Sequence, residues 1–198
     1  MARMTLAALA TLIVLTAACG DREDTTTTYL AAPATASADA SAGGLQNFGL
    51  NGLVSGFPTG RVFLTGGGAF DATTASNTVD AETRVVATGG FRCIESVQQG
   101  PLANCAGGEG VRWDTAQLLA STNFRCRAAD AAKAVTTGSG LAVLLADFYR
   151  ASDGIDESFT AQMIVSENDL APELPGIQTL WVQGVGCGVA NGNFNGKS

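Results

Sequence analysis

Apolar residues recur at every second position over several stretches of this chain. Val85, Ala87, Phe91 and Cys93 alternate with Arg84, Thr88 and Arg92. Phe159, Ala161, Met163 and Val165 alternate with Ser158, Thr160, Gln162 and Ser166, broken only by Ile164. A period of two puts one set of side chains on one face of an extended chain, so each stretch predicts a half-buried strand. Residues 61–65 (Arg-Val-Phe-Leu-Thr) add another, running into Gly66, Gly67 and Gly68 and then Ala69 and Phe70. Residues 141–150 form a longer, nearly unbroken apolar run, as in a strand covered on both faces. Residues 177–187 carry Trp181 and Val182 and then thin into glycines, and 110–113 and 123–127 are shorter candidates.

Gly- and Asp-rich turns separate these runs, and Ala-Ser-Asp-Gly at 151–154 predicts a tight hairpin. Helix is limited to a turn or two around 128–134, with 114–119 as a second candidate. The pattern predicts an all-β domain of about seven or eight antiparallel strands, a single β-sandwich or flattened barrel with minimal helix. Glycines inside strands predict bulges or tight curvature, and Gly66–Gly68 lacks the Lys and helix start of a phosphate-binding loop. Val85–Cys93 and 118–126 share Phe-Arg-Cys at their ends, which is either a duplicated strand unit or chance.

The N-terminus follows a different pattern. Arg3 precedes an uncharged apolar stretch, residues 6–15, and Thr16, Ala17 and Ala18 stand directly before Cys19. This is the layout of an export signal over residues 1–18. Leu15-Thr16-Ala17-Ala18-Cys19 resembles the lipobox of bacterial lipoproteins, with Thr16 where the family usually has Leu and Leu15 one position earlier. The resemblance implies that Cys19 takes a diacylglycerol, becomes the new N-terminus and tethers the protein to a membrane. Cleavage without lipidation, giving a secreted protein, is the alternative. The apolar stretch is too short to span a bilayer, which takes about 20 residues. Several acyl chains hold firmly where one binds only marginally. Gly20 follows Cys19, so an inner-membrane retention Asp directly after the Cys is missing. The implied location is the cell envelope, on the outer side of the cytoplasmic membrane or at the outer membrane.

Residues 19–44 hold the lipidated Cys and a Thr/Ala/Ser-rich tether with almost nothing to pack. Residues 45–198 have the length of one ordinary domain, and with 46% hydrophobic residues in the chain they can bury a real core. The net charge of −7, with Lys133 and Lys197 the sole lysines, repels phosphate backbones, so no nucleic-acid partner is expected. The expected partners are the membrane, through Cys19, and an unknown protein or glycan.

Besides Cys19 there are Cys93, Cys105, Cys126 and Cys187, an even set suited to disulfides in an oxidising compartment. Of the three pairings, Cys93–Cys105 with Cys126–Cys187 would staple a loop to its strand and tie a central strand to the last. The shared Phe-Arg-Cys favours Cys93–Cys126 instead. The close C-x₂-C spacings of zinc sites are missing, so neither metal nor other cofactor is expected.

The chain has no histidine, which removes Ser-His-Asp and Cys-His catalysis and His-ligated zinc. An enzyme would need carboxylates or a Ser-Lys pair. Residues 109–114, Glu-Gly-Val-Arg-Trp-Asp, are the most site-like stretch, with Glu109 and Asp114 as the candidate pair of a glycan hydrolase. The plainer reading is a buried Trp113 beside an Arg112–Asp114 pair at a strand end. Asp147, mid-strand, is a structural carboxylate needing a partner such as Arg, or a third catalytic candidate. Asp153, Asp156 and Glu157 crowd one turn and Glu167 and Asp169 another; both read as solvated turns, with calcium as the alternative.

Gly-Gly-Gly-x-Phe strands and late hairpins resemble small exported bacterial β-proteins of unknown function, which implies a fold and no activity. The reading that accounts for anchor, tether and disulfides is a lipid-anchored envelope protein, leaning non-enzymatic, that binds or scaffolds a partner. A small-ligand carrier built on a barrel and the carboxylate hydrolase are the alternatives.

Overall fold

The computed structural model describes residues 44–55, 60–152 and 155–196, with the backbone alone at 151, 152, 155–157 and 196. All of them belong to one compact unit, Ser37–Ser198. The signal, Cys19 and nearly all of the tether lie outside the described residues, as do Asp153 and Gly154 of the expected hairpin turn.

Among the described residues ten strands follow one another: β1 (Gln46–Ser55), β2 (Arg61–Phe70), β3 (Val85–Glu95), β4 (Arg112–Leu119), β5 (Ser121–Phe124), β6 (Lys133–Thr136), β7 (Leu141–Ser152), β8 (Ile155–Ser166), β9 (Leu180–Val182) and β10 (Gly186–Gly196). Eight close an antiparallel barrel in the order β1-β10-β9-β8-β7-β4-β3-β2, while β5 and β6 pair as a separate two-stranded sheet. The chain is all-β, and the helical element described is one 3-10 turn, Ala72–Thr74.

Both expected helices are strand or turn instead. Residues 114–119 continue β4, because that strand takes its place between β3 and β7 and tertiary pairing overrides a weak local preference. Residues 128–130 are turn and bend, 131 and 132 are irregular, and 133 and 134 open β6. Asp156 and Glu157 lie in β8, opposite Ala151 and Arg150, rather than in a loop. Two barrel strands, β1 and β10, were not among the expected ones, since their alternating positions are largely Gly and Asn. The shared Phe-Arg-Cys has no structural counterpart: Val85–Glu95 is one strand, whereas 118–126 breaks at Ala120 between β4 and β5.

Inward positions fill the barrel. Phe48, Phe70 and Phe194 meet at one end, with ring centroids 5.8–6.4 Å apart. Phe91, Phe148 and Phe159 form a second group at 5.2–6.1 Å. Such offset and edge-to-face pairs add to the burial of the rings. Val54, Val62, Leu64, Trp113, Leu144 and Met163 are fully buried among them. A smaller cluster lies outside the wall, where Leu119, Phe124, Val143, Ile164 and Trp181 pack together. That cluster explains two features of the pattern. Residues 141–145 need apolar side chains on both faces, and Ile164 breaks the alternation of β8 because its outward side is also covered.

The glycines of β2 and β3 serve the core. A side chain at Gly89 would sit 1.8 Å from the Thr65 carbonyl and 2.6 Å from Trp113 Nε1. Gly66, at φ +145°, would bring a Cβ within 2.7 Å of the same indole. The wall is bare at this point because Trp113 lies against it.

Candidate functional site

The site-like stretch from Glu109 to Asp114 divides across the wall. Trp113 points inward, fully buried, and its Nε1 donates to the Thr65 carbonyl at 2.9 Å. Arg112 and Asp114 point outward and pair at 3.3 Å, and the Arg112 guanidinium lies 4.2 Å over the Tyr149 ring. Glu109 belongs to the loop before β4. It accepts from the Ala106 backbone N–H at 2.9 Å and pairs with Arg150 at 3.6 Å. Arg150 also donates to the Asn104 carbonyl at 3.0 Å, so the two residues fasten the loop that carries Cys105. Glu109 and Asp114 therefore engage separate partners.

The carboxylate that stands beside Asp114 is Asp147. The two are direct cross-strand neighbours on the outer face, in a row running Thr88, Asp114, Asp147, Thr160 over β3, β4, β7 and β8. Thr88 Oγ1 donates to Asp114 and Thr160 Oγ1 to Asp147, each at 2.6 Å. Asp147 is half-buried, and its partner is this hydroxyl rather than an arginine. Like charges placed directly opposite repel, and the flanking hydroxyls with Arg112 offset the repulsion.

Two disulfides lock the wall. Cys93–Cys105 joins β3 to the following loop, with Cα atoms 6.2 Å apart, and Cys126–Cys187 joins the bend after β5 to β10, with Cα atoms 4.7 Å apart. The chain-entropy model gives about 3 kcal/mol for the short loop and about 4 kcal/mol for the long one.

The second disulfide forms part of an outer groove of about 790 Å³, bordered by Leu53, Val189, Leu174 and Ile177, with Arg127 and Gln178 as polar groups. That volume lies in the range of small-molecule sites. Val189 and Ile177 are 53% and 60% exposed, so an apolar floor faces solvent. Asp169 shapes the groove's loop by accepting from the Ala171 and Gln178 backbone N–H groups, both at 3.0 Å. Glu173 pairs with Lys133, which holds its carboxyl below the usual range. Asp71 is held low as well, chiefly by the Thr73 hydroxyl that donates to it at 2.6 Å. Among the described residues, no three Asp, Glu or Cys side chains are grouped to hold a metal ion.

Sequence reasoning missed the groove, because its walls come from β1, β10 and the loop after β8, far apart in the chain. It also missed the asparagines of β1 and β10, although their spacing by twos in Asn-Gly-Asn-Phe-Asn (191–195) is itself a strand signal.

Fold and surface define an eight-stranded antiparallel barrel, filled with side chains and fastened by two disulfides. No family model, no curated protein and no solved structure matches the chain at significant similarity.

Proposed function

We propose that this is an exported, lipid-anchored envelope protein whose barrel binds a partner on its outer surface and performs no chemistry on it. The observation that carries the reading is a barrel interior filled by two aromatic groups, which moves binding to the outside. The paired cysteines support residence in an oxidising compartment. The outward positions support attachment through lipid rather than through the strands themselves. Asn47, Asn51, Thr88, Asp114, Asp147 and Thr160 face out while the apolar set faces in, the reverse of a membrane-spanning barrel. The carboxylates of the hydrolase reading each have structural partners, which supports the non-enzymatic reading over that alternative.

The test is non-reduced mass spectrometry of the protein taken from native membranes, intact and as peptides. The expected result is a diacylglyceryl group on Cys19 together with the Cys93–Cys105 and Cys126–Cys187 peptides. An unmodified N-terminus in a soluble fraction would replace the anchored protein with a diffusible one. Free thiols at the four internal cysteines would remove the argument for export.

A further inference from the structure

The outward positions of β10 and β1 stand in register. Asn195 lies opposite Asn47, Asn193 opposite Gly49 and Asn191 opposite Asn51. The rows continue onto β2 as Ala69, Gly67 and Thr65, and the next row is apolar, with Val189, Leu53 and Phe63 side by side. All five asparagines are exposed. Among the described residues none of their side-chain amides has a partner. No charged side chain stands in these rows on the three strands, although the chain as a whole carries −7. Arg61 at the Ser55 end of β2 and Arg92 on β3 mark the border.

This arrangement selects a chemistry. Each amide offers two donors and an acceptor oxygen without a charge. An anion placed here would find amide N–H donors but no cation within these rows to offset its lost hydration, and a lipid surface would meet an unpaired polar lattice. A neutral hydroxyl answers both halves of an amide. The rows repeat about 7 Å apart along the strands and about 5 Å across them, a regular grid suited to an extended polymer with repeating hydroxyls. The floor is low because Gly67 has no room for a side chain: a Cβ there would lie 2.4 Å from the Phe48 carbonyl. Phe63, 37% exposed, gives the grid an apolar edge for the C–H face of a sugar ring.

We infer that the five-asparagine face of β1 and β10 binds a neutral glycan, an uncharged polysaccharide whose hydroxyls pair with the amides and whose ring faces rest on Phe63 and Leu53. The inference rests on the binding reading above and names the partner and the face.

The experiment is depletion of the full-length, disulfide-intact protein from solution by insoluble uncharged polysaccharides, namely cellulose, a β-1,3-glucan and chitin, at low and high salt. Wild type is expected to be retained on at least one of them, with little change in salt. Asn191→Asp combined with Asn193→Asp should weaken retention about tenfold or more, through lost amide donors and a charge placed on the grid. Asn51→Ala combined with Asn191→Ala should act in the same direction, and the thermal midpoint of each variant reports that it is folded. Ile177→Asp, in the groove but off the grid, should retain wild-type binding.

No retention on any of the three polysaccharides overturns the inference, as does retention that both asparagine variants leave unchanged. A self-associated species that disappears in the asparagine variants overturns it in favour of a second copy of this chain. Retention lost in Ile177→Asp alone leaves the binding reading standing and sinks the face. Release of soluble sugar by wild type, abolished in Asp114→Asn, sinks the binding reading itself.

Discussion

Trp113 on β4 donates its indole N–H to the carbonyl of Thr65 on β2, 2.9 Å away, across a third strand whose residue at the crossing is Gly89. The contact explains a gap in the β2–β3 ladder. Pairing runs to Leu64–Phe91 and resumes at Gly67–Thr88, and the carbonyl lies within the gap. Trp113→Phe keeps most of the buried ring and strands the carbonyl, a loss of about 1–3 kcal/mol. Gly89→Ala should cost more, because the methyl would meet both the carbonyl and the indole, whereas Gly138→Ala, with nothing within 4 Å, should be nearly silent. Urea midpoints of the three variants check the order.

The disulfides should differ in both worth and lability. Cys93 and Cys105 are each 0% exposed, while Cys126 and Cys187 are 7% and 6% exposed and border the groove. Attack by an external thiol depends on access, so Cys126–Cys187 should be reduced first under native conditions. It closes the longer loop, so replacing both of its cysteines by Ala should cost about 1 kcal/mol more than replacing the other pair. Timed alkylation followed by peptide mapping reads the first effect and chemical denaturation the second.

Acid should weaken the barrel through Asp71. Its carboxyl is held low by Thr73 and Arg84, so the folded form binds a proton less readily than the unfolded chain does. The stabilisation is complete above the ordinary aspartate value of about 3.9 and is lost as pH falls through the lower folded value. Glu173, held low by Lys133, acts in the same sense. Asp71→Asn should be less stable than wild type at neutral pH and should approach it in acid. Denaturation midpoints measured from pH 7 down to pH 2.5 give the slope, and parallel curves would rule the linkage out.

Asp114 and Asp147 stand opposite one another on adjacent strands. Asp147→Asn removes the like-charge repulsion and keeps an oxygen to accept from Thr160. It should leave the protein equally stable or raise stability by about 0.2–1 kcal/mol at low salt, an advantage that shrinks as salt screens the pair. Arg112→Ala acts the other way, by removing the cation beside Asp114. Thermal midpoints at two salt concentrations separate these effects from simple packing changes.

Much of the barrel was legible in the chain because a strand writes its two faces at alternate positions. Ala87, Phe91 and Cys93 face inward as their spacing predicts, and so do Ala161, Met163 and Val165. The apolar character of 141–145 and the interruption at Ile164 were legible too, although their cause, the outer cluster around Trp181, was not. The helix expected at 114–119 failed because pairing with β3 and β7 outweighs local preference there. β1 and β10 escaped notice because glycine and asparagine carry little hydrophobic contrast.

The chemistry divides along the same line. The sequence alone determined the all-β class, the even set of internal cysteines and the exclusion of histidine chemistry, because composition and period-two spacing are local properties. Which carboxylate stands beside Asp114, where the groove opens and which asparagines share a face depended on register between strands distant in the chain. Residues 47–51 and 191–195 meet only once the last strand closes the barrel against the first, and the sequence of neither strand specifies that alignment by itself.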